Sequence, residues 1–298
     1  MARFLKSTTA ITFEVAGAVA HVTLNRPQTH NALTMQMLDE LNQAFLEADA
    51  RTDVNVILLA GAGKSFCAGY DLGDAYSGKE VTAEGEEIPY RSTAASIDDD
   101  CWSMEGMQRK LGVIFQIHKP VVAKLHGNCL AGGTDIALAC DIVVAAEDCK
   151  IGFPATRANG TPPANMWLYH CGPQWAKRLL FTGDTILGRD AARIGLVMDA
   201  YPAGELDAAA EALAARIALV DADLLSAHKR VINLGLELAG AQTLQRLATE
   251  LDARAHLSRG PRRVRFREDM AQSGLREALK NRDSDFGNSV VTLNWAGK

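Results

Sequence analysis

The sequence predicts an α/β fold that closes in a helical region. Strand-like apolar runs alternate with helix-periodic stretches through the first two-thirds of the chain. Two glycine-containing turns each follow a run that reads as a buried strand. The last third carries helical stripes and no strong strand pattern. With 298 residues, the chain can bury the core of one large domain or of two modest ones.

The elements follow in order. Residues 11–15 (ITFEV) and 19–24 (VAHVTL) alternate with period two around Gly17, which predicts a β-hairpin. The breaker Asn25, Arg26, Pro27 comes next. A helix is expected over residues 34–50, because Leu38, Leu41, Phe45 and Ala48 share one face. Residues 54–60 (VNVILLA), closed by Gly61, read as a buried strand. Residues 74–100 are rich in Ser, Thr, Glu, Asp and Gly without periodicity, and read as a long surface excursion with the make-up of a lid. Met104, Met107, Leu111 and Ile114 mark a core-facing helical stripe. Residues 120–125 (PVVAKL) and 142–146 (IVVAA) are two further buried strands, with a short helix ending near Cys140 between them. Leu206, Ala210, Leu213 and Ile217 form a stripe, and a Leu/Ala-rich stretch follows over residues 223–251. This division gives an α/β core over residues 1–205 and a helical region over 206–298.

Composition excludes several function classes. The net charge of −5 offers no global basic field for nucleic acid or anionic membrane. The basic run at residues 262–267 (RRVRFR) is short and reads as a solvated face, with a role beside a phosphate left open. Cys67, Cys101, Cys129, Cys140, Cys149 and Cys171 form no C-x-x-C pair, and reduced thiols in a cytoplasmic setting are expected. Residues 1–10 lack the apolar run of a signal peptide, and no segment has the length of a membrane span. No metal site is expected.

The two glycine turns carry the chemistry. They are residues 65–71 (SFCAGYD) and 130–135 (LAGGTD), the second at the start of a helix. Glycine lets the backbone approach a ligand closely, and the first amides of a helix have no partner within it. Two such turns facing each other could aim two N–H groups at one oxygen, an oxyanion hole. Neither turn is followed by Lys-Ser/Thr, and the spacing G-x-G-x-x-G is absent, so a phosphate-cradling P-loop and a dinucleotide fingerprint are excluded.

Taken together, the turns resemble the enoyl-CoA hydratase/isomerase (crotonase) superfamily. Asn25, Arg26, Pro27 and then Asn31, Ala32, Leu33 look like its N-R-P…N-A-L element. Residues 66–72 (FCAGYDL) are similar to its F-x-A-G-x-D-(L/I) element. Lys119, Pro120, Gly127, Gly132, Gly133 and residues 140–142 (CDI) follow its K-P…G…G-G…C-D-(I/V) run. Thr182, Gly183, Ala191, Ala192 and residues 195–197 (GLV) are similar to its T-G…A…G-L-V run. The resemblance spans about residues 11–280.

The resemblance implies a spiral of ββα units with a C-terminal helical region that assembles trimers, often paired into hexamers. It implies a homotrimer or dimer of trimers acting on an acyl-CoA, with coenzyme A as part of the substrate and no other cofactor. The backbone N–H groups of Tyr70 and Gly132 would form the oxyanion hole. Ala68, Tyr70, Asp71, Leu72 and Gly132 would lie along the bent coenzyme A. Hydratases of this type use two glutamates around one water. Asp135 stands at the first position, three residues after the oxyanion glycine, and is assigned there as acid/base. The second position, after residues 151–154 (IGFP), holds Ala155. Residues 164–167 (ANMW) replace a glycine-rich helix start and would place bulk near the acyl pocket.

Enoyl-CoA hydratase, a lyase, is the leading expectation. It would work with Asp135 alone or with a second carboxylate such as Asp99 or Glu105. A double-bond isomerase, needing one base, comes second. A hydrolase or carbon–carbon lyase on an unusual acyl-CoA is the third. His118, His126, His170 and Tyr169 read as structural groups. The rival from another class is a non-catalytic acyl-CoA binder, which the missing carboxylate would suit.

Overall fold

The computed structural model describes residues 2–72 and 96–294. β1 (Ile11–Ala16) and β2 (Val19–Leu24) form the expected antiparallel hairpin, with Gly17 at φ +58° in its turn. β3 (Val56–Gly61), β4 (Val121–Leu125), β6 (Ile142–Ala146) and β9 (Asp199–Tyr201) extend the sheet in the order β1-β2-β3-β4-β6-β9. Every pairing after the hairpin is parallel. Ile57, Leu58 and Leu59 of β3 and Val121, Val122 and Ala123 of β4 are all buried. That is why these strands read as continuous apolar runs rather than alternating ones.

A second sheet has the order β10-β8-β7-β5. Its strands are β5 (Asn128–Leu130), β7 (Lys150–Gly152), β8 (Thr185–Leu187) and β10 (Val290–Val291). Two- and three-residue strands carry no readable periodicity, so the sequence did not announce this sheet.

α1 (Met35–Ala50) begins where Thr34 Oγ1 accepts the Met37 N–H, and buries Leu38, Leu41, Phe45 and Ala48. Its Glu40 and Glu47 are buried because they hold the N-terminal segment: Glu40 Oε2 accepts the N–H of Ala10 at 2.8 Å, and Glu47 Oε2 accepts those of Arg3 and Phe4 at 2.7 Å. Of the excursion expected over residues 74–100, residues 74–95 lie outside the described residues. Its end is corrected: Ile97–Gln116 is a helix, α2, capped by Ser96 Oγ on the Asp99 N–H. Asp98, Asp99 and Asp100 sit in its first turn, where the dipole favours negative charge.

The remaining helices are α3 (Gly132–Ala137), α4 (Trp167–Thr182), α5 (Gly188–Arg193), α6 (Leu206–Ile217), α7 (Ala222–Leu238), α8 (Ala241–His256) and α9 (Pro261–Ser284). α6 buries Leu206, Ala210 and Ala214 in the main core. Gly240, at φ +90°, separates α7 from α8, and α8 packs against α2. No described helix is long and apolar enough to cross a membrane. All six cysteines are free thiols.

Candidate active site

The first glycine turn is clamped by the residues just upstream of α1. Asn31, fully buried with φ +57°, donates from Nδ2 to the carbonyls of Ala62, Ser65 and Phe66 at 2.9, 2.8 and 3.1 Å. Its Oδ1 accepts the Arg26 N–H at 2.9 Å, and Arg26 Nη1 pairs with Asp71 Oδ2 at 3.0 Å. Leu33 donates its N–H to Gly69 O and accepts the Asp71 N–H. Gly69 O and Asp71 N–H thus both face Leu33. By the alternation of extended backbone, the Tyr70 N–H points the other way. On that other side lies β5, joined to the turn by Cys67 N–H to Asn128 O at 3.0 Å and Leu130 N–H to Cys67 O at 2.9 Å.

The second turn leaves β5 and enters α3 through Ala131, at φ +47° and ψ −120°. An L-residue rarely adopts that conformation, and it persists only where its surroundings enforce it. The Ala131 N–H donates to Gly152 O of β7 at 2.9 Å. Close approach explains the glycines. A Cβ on Gly133 would lie 2.6 Å from Cys67 O, and one on Gly132 would lie 2.8 Å from Tyr70 Cε2. A Cβ on Gly69 would lie 2.9 Å from Ala131 Cβ and 3.4 Å from Gly132 N. The two turns therefore touch backbone to backbone. Among the described residues, neither the Tyr70 N–H nor the Gly132 N–H has a hydrogen-bond partner.

Beside these amides sits Asp135, only 1% exposed. The Tyr70 hydroxyl donates to its Oδ2 at 3.1 Å, and Gln108 Nε2 donates to the Tyr70 oxygen at 3.2 Å. Asp135 Oδ1 has no hydrogen-bond partner among the described residues. Burial pushes the Asp135 carboxyl well above the usual carboxylate range, with the Tyr70 bond opposing and the Asp252 charge adding to the rise. Burial likewise pushes the Tyr70 phenol well above its ordinary value, and the Asp135 charge reinforces it. The same burial favours the protonated form of this carboxyl over the charged one. Asp135 lines a cavity of about 370 Å³ between α2 and α8, together with Gln108, Phe115, Ala164, Met166 and Thr249.

The other sequence-derived candidates are distributed as follows. Ala68 is exposed and donates its N–H to His30 O, while Leu72 packs against the small cluster around Phe266. Glu105 lines the cavity, paired at 3.7 Å with Arg109. Asp99 belongs to the α2 cap, away from the cavity lining. His118 bonds Asp49, His126 bonds Gly63 O, and His170 bonds Leu138 O, so all three are structural. Tyr169 donates its hydroxyl to Ala239 O. Ala164 and Met166 do reach the cavity, whereas Trp167 is fully buried in the core.

Sequence reasoning missed Gln108 and the α8 wall. Gln245 and Thr249 lie four apart in a Leu/Ala-rich helix, and that polar pair was the available signal. It also treated Tyr70 as a backbone donor only, although its side chain reaches Asp135.

The sequence model of the family described as enoyl-CoA hydratase/isomerase matches residues 14–268. The short-chain-enoyl-CoA hydratase of Clostridium acetobutylicum is 32% identical over 76% of this chain and 82% of that protein. A crystal structure of an enoyl-CoA hydratase from Mycobacterium smegmatis superposes with a TM-score of 0.86 at 36% identity, covering 96% of this chain and 98% of that one. An enoyl-CoA hydratase/isomerase from Xanthobacter autotrophicus Py2 gives 0.84 at 31% identity, covering 94% and 99%. With an expected oxyanion turn, a buried carboxyl and an open cavity already assembled from its own residues, the chain belongs to the enoyl-CoA hydratase/isomerase family, acyl-CoA enzymes of the crotonase fold.

Proposed function

We propose that the protein is an enoyl-CoA hydratase in which the Tyr70 and Gly132 N–H groups hold the thioester oxygen and Asp135 moves the α-proton. One observation carries this: two backbone amides on touching turns, without hydrogen-bond partners among the described residues, stand near a buried carboxyl that lines a cavity. When water adds to the β-carbon of a 2-enoyl thioester, negative charge moves to the carbonyl oxygen. Fixed N–H donors stabilise that charge without reorganising. The α-carbon then takes the proton from Asp135 Oδ1. As it leaves, charge develops on the carboxyl, and the Tyr70 hydroxyl already bonded to Oδ2 stabilises it.

Coenzyme A enters as part of the substrate, with no other cofactor, along Ala68, Asp71 and Leu72. The helices between Leu206 and Ser284 supply one cavity wall and an assembly face for a homotrimer or dimer of trimers. The exposed Val231, Ile232 and Leu238 of α7, at 70, 65 and 82% exposure, support such a face. Sedimentation of the full chain tests it, and a monomer at micromolar concentration would refute it. A cytoplasmic setting is part of this proposal, supported by the six free thiols.

A double-bond isomerase is the second reading, favoured by Ala155, which brings no carboxylate to that position, since one group suffices to move a proton along the acyl chain. Offering the protein a 2-enoyl-CoA and a 3-enoyl-CoA separates them. Hydration removes the absorbance of the conjugated thioester, and isomerisation creates it. Wild-type protein inert on both, with no α-proton exchange in D₂O, would leave an acyl-CoA binder.

A further inference from the structure

Adding water across a double bond needs two proton transfers, one out of the water and one into the α-carbon. Asp135 accounts for one. The other needs a second group near the same cavity, and α8 carries one that the mechanism has not used. Gln245 and Thr249 line the cavity from α8, and Asp252 and His256 continue the same face at helical spacing. Asp252 is 4% exposed. Its Oδ1 accepts the Thr161 N–H at 2.7 Å, and its Oδ2 lies 3.8 Å from His256 Nε2. His256 Nδ1 is bonded at 2.8 Å to Asp100 Oδ2, in the first turn of α2.

The place of this carboxylate is informative. Asp252 Oδ1 lies 2.4 Å from where a Cβ on Gly160 would stand, so glycine there makes room for it. Gly160 in turn donates its N–H to Ala155 O at 3.2 Å. Asp252 therefore reaches, from the C-terminal helices, the neighbourhood of Ala155.

We propose that Asp252, oriented by Thr161 and backed by the His256–Asp100 pair, is the second proton-transfer group of this site. This rests on the hydratase reading above. In the hydration direction, the water oxygen bonds the β-carbon and its proton passes to Asp252 Oδ2. The double-bond electrons move toward the thioester carbonyl. As they return, the α-carbon takes the Asp135 proton. A proton passing through solvent from Asp252 to Asp135 restores the starting state. Asp252 faces His256, Asp100 and Asp135, with Arg263 near His256. Burial raises the Asp252 carboxyl, against the His256 charge and the Thr161 N–H. Burial pulls His256 down, but its Asp100 bond and the Asp252 charge hold it above the ordinary imidazole value.

The experiment compares wild type, Asp252→Asn and the double variant Asp252→Asn with Ala155→Glu, all full-length. Each is assayed for hydration of a short 2-enoyl-CoA and for α-proton exchange of the matching saturated acyl-CoA in D₂O. Asn keeps the acceptor for Thr161. The single variant is expected to lose on the order of 100-fold in kcat, with KM within about twofold and α-proton exchange retained. Restoring a carboxylate at position 155 is expected to recover at least about tenfold of that loss, which a merely structural Asp252 would not allow. Wild-type kcat in Asp252→Asn overturns the proposal. So does loss of exchange together with hydration, unrecovered in the double variant. Wild-type protein that exchanges no α-proton refutes the hydratase reading itself and takes this inference with it.

Discussion

Replacing Tyr70 by Phe isolates one interaction. The ring stays, so its packing over Gly132 stays. Only the hydroxyl leaves, and with it the one donor to Asp135 Oδ2 among the described residues. Among the described residues Oδ1 has no partner, so the buried carboxyl loses the hydrogen bond described for it. A hydrogen bond to a charged group is worth about 1.5–3 kcal/mol. If the bond matures only as the proton leaves, turnover falls by roughly 10- to 150-fold, the same energy expressed as a rate. The sign of the pH effect follows as well. The hydroxyl favours the ionised carboxylate, so its removal raises the Asp135 pKa further above the ordinary range. The neutral acid then persists to higher pH, and the alkaline limb of kcat moves up. The assay is steady-state hydration of a 2-enoyl-CoA across pH for both proteins. Unchanged kcat with an unchanged alkaline limb would refute the role given to the hydroxyl.

Other expectations are as direct. Asp135→Asn is expected to lower kcat at least about 100-fold while leaving acyl-CoA affinity near wild type, read by equilibrium binding. The same variant tests linkage. Asp135 binds its proton more tightly folded than unfolded, so its contribution falls as pH rises from the ordinary carboxylate value through the raised one. Thermal melts should therefore show the Tm of Asp135→Asn gaining on wild type from acidic to alkaline buffer, and a constant difference would contradict this. Asn31→Ala strips the donor from three carbonyls at once and should cost on the order of 3 kcal/mol in urea denaturation. Gly133→Ala puts a methyl 2.6 Å from Cys67 O, which is backbone and cannot swing aside, so turnover should be lost even where a folded protein is recovered. By contrast, Asp71→Asn removes the charge that pairs with Arg26 Nη1 in a half-buried ion pair and should cost on the order of 1 kcal/mol.

Much of the fold was legible because its main sheet is built from long apolar runs. Residues 57–59 and 121–123 are buried on both faces, and such strands advertise themselves. The second sheet was silent, because a strand such as Lys150–Gly152 is too short to repeat anything. At the site, Gly69, Gly132 and Gly133 could be flagged as turns, yet their reason lies in contacts between segments more than sixty residues apart. Asn31 shows the same limit. Its motif was visible, but its work as a clamp on the carbonyls of Ala62, Ser65 and Phe66 exists only in three dimensions. Gln108 and Thr249 reach the cavity because α2 and α8 happen to pack together, and helical periodicity says nothing about which helix will be the neighbour.

The minor sheet ties distant parts of the chain to one turn. Val290 and Val291 lie alongside Thr185 and Ile186, whose strand pairs with Lys150–Gly152, and Gly152 O receives the N–H of Ala131. Ala131 is the residue held in the unusual backbone conformation immediately before Gly132. Trimming residues 290–294, or pulling on them through a fused tag, would loosen a ladder whose other end keeps that peptide bent. A deletion remote from the cavity would then register as slower chemistry with unaltered substrate affinity.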